Sequence, residues 1–240
     1  MEAFVSEEKP RTLKTALKDS LREMLPNSWL RALQQRGIIF RLGLRAGWIY
    51  SGLRRSDARG VHTANQRQVP PSARSFVFVC FGNIMRSAMA EFLMRKALRE
   101  KGMEQNVQIV SAGLHATAGK EAHPWAQEAA ADLGISLSGH RAKPLTREMV
   151  EQADCVLAMD FQNKAELLTL YPEAREKIFM LSAYAEGPWQ YREIPDPYLG
   201  DLEATRYCGQ QLRTCVQNLI ASTILSPSSA ASTEQPVARE

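Results

Sequence analysis

The sequence predicts an α/β protein built on a central four-stranded parallel sheet with helices on both faces. Three observations carry that prediction. From Ser75 onward, strand-like and helix-like segments alternate, the order that produces a parallel sheet through crossover helices. The strand candidates are short and continuously apolar, as in Phe76-Val77-Phe78-Val79-Cys80 and Cys155-Val156-Leu157-Ala158-Met159, which suits a sheet buried on both sides. The first strand passes through a short turn carrying Gly82 and Asn83 into a segment with helical spacing at Met89, Phe92, Leu93, Lys96 and Ala97.

Taken in chain order, residues 1–74 read as a basic, partly helical N-terminal extension and linker. They hold 14 Lys and Arg against 6 Asp and Glu, whereas the remainder holds 16 against 20, so the two parts differ in kind. A helix is expected over Thr12–Leu25, ahead of Pro26. Residues 28–53 mix Trp29, Leu30, Leu33, Phe40, Leu44, Trp48 and Leu53 with Arg31, Arg36, Arg41 and Arg45. Two readings stay open for them: a basic helix in peripheral contact with an anionic membrane, or a helix packed on the rest of the chain or on a second copy. The apolar positions spread around the helix instead of forming one stripe, and Gly37, Gly43 and Gly47 weaken it, which favours packing. Arg54 to Arg74 reads as a polar linker.

The domain proper is expected at 75–222. Its strands are expected at Ser75–Cys80, Val107–Ala112, Asp154–Met159 and Ile178–Leu181. Its helices are expected at Ser87–Lys101, His123–Leu133, Thr146–Gln152, Phe161–Leu170 and Asp201–Ala221. Residues 223–240 form the tail, Ser/Ala/Pro-rich from Ser226 and expected to be disordered.

Composition bounds the class. Hydrophobic residues at 45% and charged residues at 23% are ordinary for a globular protein, and a net charge of +4 without any recognisable motif gives no reason to expect nucleic acid. Four cysteines (Cys80, Cys155, Cys208, Cys215) are too few for a disulfide scaffold. On one helix, Cys208 and Cys215 would stand about 10 Å apart, beyond the reach of a disulfide. The opening Met-Glu-Ala-Phe with Glu7 and Glu8 is unlike a secretory signal, and no apolar run approaches a membrane span. The expected setting is reducing and cytoplasmic.

The chemistry concentrates after the first strand. Five residues (Phe81, Gly82, Asn83, Ile84 and Met85) separate Cys80 from Arg86, and Ser87 follows. That length of backbone wraps a tetrahedral oxyanion in successive N–H groups and returns a guanidinium to the same side. The N–H cluster, the helix start and the guanidinium all favour a thiolate, the nucleophilic form of cysteine. The reading is a phosphate-binding loop with its own nucleophile, which implies a phosphocysteine intermediate, and the bland alternative for this stretch alone is a buried Cys and a surface Arg. It is not the nucleotide-binding loop, which needs Gly-Lys-Ser/Thr. A leaving oxygen also needs a proton. Asp196, held between Pro195 and Pro197, reads either as an ordinary turn residue, the reading its own surroundings favour, or as a stiffly presented carboxyl suited to supply that proton. No cluster has metal-ligand spacing, so neither metal nor other cofactor is expected.

Together with Ser111-Ala112-Gly113-Leu114, His123-Pro124, Gly139-His140-Arg141-Ala142, Ala153 to Asp160 and Asp196-Pro197-Tyr198, the Cys80–Ser87 loop resembles the low-molecular-weight protein tyrosine phosphatase family over residues 75–222. The resemblance implies phosphotyrosine hydrolysis in proteins, with Cys80 as nucleophile, Arg86 as phosphate clamp and Asp196 as general acid. It also implies that Asn83 holds the loop in a left-handed conformation, its side chain tied by Ser87, Ser111 and His140, and that Tyr198 walls the substrate ring. Bacterial members often act on tyrosine kinases of polysaccharide export, so such a kinase is the implied partner and the inner face of the membrane a candidate location.

Departures from the family pattern are informative. Met85 stands where many members carry a second loop cysteine, Leu199 where some have a second Tyr, and His115-Ala116-Thr117-Ala118 lacks an aromatic that some relatives place on the opposite wall. Ile84 goes with tyrosine phosphatases, whereas relatives that dephosphorylate arginine commonly have Thr there. The alternatives are a protein arginine phosphatase, an arsenate reductase of the same fold, which needs further shuttling cysteines, and a phospho-binding module.

Overall fold

The computed structural model describes residues 27–62 and 67–225. The helix expected at Thr12–Leu25 and the disorder expected from Ser226 lie outside the described residues. Strands β1 (Ser75–Cys80), β2 (Gln108–Gly113), β3 (Cys155–Ala158) and β4 (Ile178–Met180) form one parallel sheet in the order β2-β1-β3-β4. Helices α1 (Asn27–Ala58), α2 (Arg86–Arg99), α3 (Pro124–Asp132), α4 (Arg147–Gln152), α5 (Phe161–Leu170) and α6 (Leu202–Thr223) accompany it. The expected fold class is the one observed.

Alternation along β1 divides the core between the two faces of the sheet. Phe76 and Phe78 pack with Met89, Leu93, Leu212 and Val216 of α2 and α6. Val77 and Val79 pack with Phe161, Ala165 and Leu167 of α5, and with Tyr50 and Leu53 of α1. Because the chain leaves β1 for β2 on one side and later reaches β3 on the other, the loop after β1 opens at the switch point of the sheet. Parallel strands leave a crevice there.

Helix boundaries differ from expectation where a capping residue was counted as the first helical one. His123, Thr146 and Asp201 are N-caps whose side chains accept from Trp125 N, Met149 N and Ala204 N. At the other end, α6 continues to Thr223 and Ile224 is buried, so packing runs past the expected limit at residue 222.

The extension is more structured than a tether. Helix α1 is kinked at Gly43, whose φ of 74° and ψ of 178° lie outside the helical region. Its apolar residues are spread because they serve two faces. Ala46, Tyr50 and Leu53 are buried, whereas Phe40, Leu44 and Trp48 remain 91%, 87% and 73% exposed. Arg54 Nη1 meets Glu193 Oε2 at 2.5 Å, anchoring the helix to the domain. The segment expected to be a polar linker is helical as far as Ala58. Beyond it, Val69 and Ala73 are buried, and Val69 N–H donates to Tyr184 Oη at 2.7 Å.

Candidate active site

The loop after β1 closes around the Cys80 thiol. Asn83 N–H donates to Cys80 Sγ at 3.2 Å, and Ser87 Oγ lies 3.0 Å from the same sulfur. The loop carbonyls are engaged outward: Cys80 O accepts from Leu114 N, Phe81 O from His115 N, and Ile84 O from His123 N. A loop whose carbonyls are taken up on the outside is free to turn its N–H groups inward.

Asn83 sets the curvature. Its φ is 53°, a left-handed value that Asn tolerates better than most residues. Its Nδ2 donates to Ser87 Oγ and Ser111 Oγ, both at 2.9 Å. One expected tie is different in kind. His140 Nε2 meets the backbone carbonyl of Asn83 at 2.6 Å, and it is Lys143 N–H that donates to Asn83 Oδ1, at 2.8 Å. Behind this layer Ser111 Oγ donates to Glu91 Oε2 at 2.6 Å, and Glu91 in turn accepts from Arg95 Nε. Buried Asn83 therefore makes three side-chain bonds, using both N–H donors and its oxygen, which is what a rigid polar core requires.

Gly113, at the end of β2 opposite Cys80, has a steric task. A Cβ there would stand 2.8 Å from Asn83 N, 2.9 Å from Gly82 C and 2.9 Å from Phe81 O, all backbone atoms. Only glycine lets the loop lie this close to the neighbouring strand.

Arg86 opens α2 and is buried. Its Nη1 donates to Asp160 Oδ2 at 2.6 Å and to Ile194 O at 3.1 Å, and its Nη2 donates to Asp196 Oδ2 at 2.6 Å. Burial works against the guanidinium charge, but Asp160, Asp196 and Cys80 together outweigh it and hold the group more firmly protonated than usual. Asp160 is itself fixed as the N-cap of α5, accepting from Asn163 N at 2.7 Å. Asp196 is freer: its side chain is 43% exposed, on the one-turn 3₁₀ segment Pro197–Leu199 that it caps.

Above the thiol a pocket of about 200 Å³ is lined by Cys80, Phe81, Gly82, Ile84, Met85, Arg86, His115, Thr117, Lys120, Asp196 and Tyr198. Two aromatic pairs flank it. Tyr198 meets His123 edge-on with centroids 5.8 Å apart, and Phe81 stacks on His115 at 4.6 Å. Burial, assisted by Lys120, lowers the pKa of His123, in keeping with its role as an acceptor at the α3 cap. The Phe81–His115 pair supplies a wall on the side that the sequence leaves without an aromatic.

Of the residues singled out from the sequence, Cys80, Phe81, Gly82, Ile84, Met85, Arg86, Asp196 and Tyr198 line this one pocket, and Asn83, Ser87, Ser111 and His140 stand in the hydrogen-bond network around the loop. Asp160, Glu91, Lys143, His123 and Gly113 were not assigned roles. Asp160 was within reach, since it follows the end of an apolar strand, where sites of open α/β sheets gather. Lys143 contributes only its backbone and leaves no side-chain signal. Cys208, on α6, is near enough for Arg86, Asp196 and Cys80 to act on it, although burial dominates and pushes its thiol up to about 12.

The model of a family described as low molecular weight phosphotyrosine protein phosphatase matches residues 75–227. A protein-arginine-phosphatase of Bacillus subtilis is 35% identical over 143 residues, 60% of this chain and 92% of that one. The low molecular weight protein-tyrosine-phosphatase Etp of Escherichia coli is 38% identical over 125 residues, 52% of this chain and 77% of that one. Among solved structures, the YwlE arginine phosphatase from Geobacillus stearothermophilus superposes with a TM-score of 0.59 at 30% identity, covering 68% of this chain and 99% of the other.

Proposed function

We infer the function of this chain from a premise that the match over residues 75–227 licenses: it belongs to the low-molecular-weight phosphotyrosine protein phosphatase family, and it is a cysteine-dependent phosphatase of phosphorylated proteins that hydrolyses phosphotyrosine. The observation that carries the residue assignments is the Cys80 thiol at the pocket floor, 3.2 Å from Asn83 N and 3.0 Å from Ser87 Oγ, with Arg86 beside it. These donors stabilise negative charge on sulfur.

The reaction follows from that placement. A phosphoryl oxygen takes the place of Asp196 on Arg86 Nη2 while Asp160 keeps the other arm of the fork in position. The loop N–H groups hold the remaining oxygens. Cys80 Sγ attacks phosphorus, the P–O bond breaks, and Asp196 gives its proton to the leaving oxygen. Asp196, now a carboxylate, takes a proton from water as that water attacks phosphorus. The P–S bond breaks, inorganic phosphate leaves, and the Cys80 thiolate is restored. Gly113→Ala should cut kcat/KM about 100-fold at little cost to the fold, because a loop displaced by ~1 Å loses its alignment with phosphorus. Unchanged turnover on an aryl phosphate would show that the loop absorbs the clash.

A second substrate, phosphoarginine, is favoured by the likeness to arginine phosphatases. Ile84 argues for tyrosine: it lines the pocket as an apolar contact and offers a guanidinium no hydrogen bond. Phosphotyrosine and phosphoarginine peptides turned over side by side decide the matter, with phosphotyrosine expected to lead and Ile84→Thr to narrow the ratio about tenfold. A wild-type preference for phosphoarginine would install the alternative. Turnover of neither would remove the enzyme reading. Arsenate reduction has less support, since burial raises the thiols of Cys155, Cys208 and Cys215, the last two to about 12, and a protonated thiol shuttles no disulfide. A phospho-binding module would have no use for an acid as well as a nucleophile, yet Cys80, Arg86 and Asp196 are all present.

We assign the enzyme to the cytoplasm, in peripheral contact with the inner face of the membrane, with a tyrosine kinase of polysaccharide export as its protein substrate. Among the described residues no helix is long and apolar enough to cross a membrane. Instead, Phe40, Leu44 and Trp48 line one shallow exposed hollow of α1, and Arg45 and Arg55 stand exposed on the same helix. Apolar residues among cations suit an anionic bilayer surface. The full chain should sediment with anionic vesicles in a salt-sensitive way, and Trp48→Ala should weaken binding about tenfold. Equal recovery with neutral vesicles, or none with either, would count against the contact.

A further inference from the structure

Residues 1–74 lie outside the family match, yet α1 reaches the wall of the active site. The guanidinium carbon of Arg41 lies 5.2 Å from the centroid of the Phe81 ring, and Arg41 Nη2 donates to Gln162 Oε1 at 3.0 Å. Gln162 Nε2 donates to Glu166 Oε1 at 3.0 Å, and Glu166 Oε2 meets His115 Nε2 at 2.6 Å. His115 stacks on Phe81, which closes the circuit. Phe81 and His115 line the substrate pocket, so a residue of the extension is seated against its rim.

Three features make Arg41 more than a tether. First, the helix is held elsewhere, by buried Tyr50 and Leu53 and by the pairing of Arg54 with Glu193, while Arg41 itself is exposed. Second, its contacts are a neutral amide and an aromatic face. Among the described residues no carboxylate lies within ion-pair distance of it, and Glu166 is engaged by His115 and Gln162. A guanidinium has five N–H donors, most of which stay available here. Third, the rim charge is one-sided. Arg86 is matched by Asp160 and Asp196, whereas Lys120 at the pocket mouth is also exposed and has no ion pair among the described residues. A planar fork already oriented by stacking loses little freedom on meeting a carboxylate.

We propose that Arg41, contributed by the N-terminal extension, is a specificity-determining residue that binds a carboxylate flanking the phosphorylated side chain, so that the enzyme favours acidic phosphopeptides. This rests on the phosphatase reading of the Cys80 site.

The test uses the full-length chain and two phosphotyrosine peptides of equal length, one with Asp and Glu beside the phosphotyrosine and one with Ser and Gln there. The unaltered chain is expected to favour the acidic peptide. Arg41→Ala should lower that preference in kcat/KM about threefold to fivefold, with the change in KM and not in kcat. Arg41→Lys, which keeps the charge and loses the planar fork, should keep only part of it, and about 0.5 M salt should erase it in the unaltered chain. An equal fall for both peptides would reduce Arg41 to a brace for Phe81, and an unchanged ratio would remove it from recognition altogether. Either result overturns the proposal. Failure of the unaltered chain to hydrolyse p-nitrophenyl phosphate would instead remove the phosphatase reading on which it rests.

Discussion

Cys80→Ser should fold normally and lose at least about 10⁴-fold in turnover of p-nitrophenyl phosphate, the scale seen when an enzyme loses its nucleophile. Serine fits the space, since the sulfur already lies within hydrogen-bond reach of Asn83 N and Ser87 Oγ. What fails is the chemistry. The donors around position 80 stabilise an anion, and a hydroxyl is too weak an acid to provide one near neutral pH without a general base beside it. The side-chain oxygen hydrogen-bonded to the sulfur belongs to Ser87, another hydroxyl. A rapid-mix measurement should therefore show the burst of p-nitrophenol disappear along with the steady state. Turnover within tenfold of the unaltered chain would show that phosphorus is attacked by something other than this sulfur.

Asp196→Ala should lower kcat by about 10²- to 10³-fold and leave KM nearly as it was, the usual weight of a positioned general acid. The loss should depend on the leaving group. p-Nitrophenol leaves readily without a proton, so its ester should suffer less than a phosphotyrosine peptide, whose phenol is more basic. The substitution also removes one carboxylate from Arg86, but Asp160 and Ile194 O still hold the other arm of the fork, so phosphate binding should survive. An equal loss for good and poor leaving groups would mean that Asp196 organises Arg86 and does not deliver a proton.

These two effects fall on residues that were readable in the chain, and for a common reason. The strand before Cys80 is continuously apolar, the turn is short, and the helix after Arg86 has its own spacing, so local rules place Cys80 and Arg86 on one loop. Prolines on either side of Asp196 mark it as stiffly held. The support of Asn83 was only partly readable. Ser87, Ser111 and His140 were expected at its side chain, but His140 bonds its carbonyl, and the backbone of Lys143 takes the remaining oxygen. Backbone partners leave no trace in residue type, so the sequence carries no sign of that exchange. Gly113 is similar: its importance comes from the approach of a neighbouring loop, not from its own surroundings in the chain.

The extension shows the limit most clearly. Its apolar residues, spread round the helix, suggested a poor amphipathic element, because a single periodic stripe is what sequence patterning detects. The helix instead has two apolar faces: Ala46, Tyr50 and Leu53 are buried, the latter two in one cluster with residues of α5, whereas Phe40, Leu44 and Trp48 are left open.

By itself, then, the sequence determined the α/β order and singled out Cys80, Arg86 and Asp196 as the proposed nucleophile, clamp and acid, because each stands out within a short stretch. Only the tertiary structure decided that Asp160 shares Arg86, that Gly113 admits the loop, that Cys208 sits near it as a buried thiol, and that Arg41 reaches Phe81. Those contacts join residues far apart in the chain, and their geometry is set by how the helices pack on the sheet.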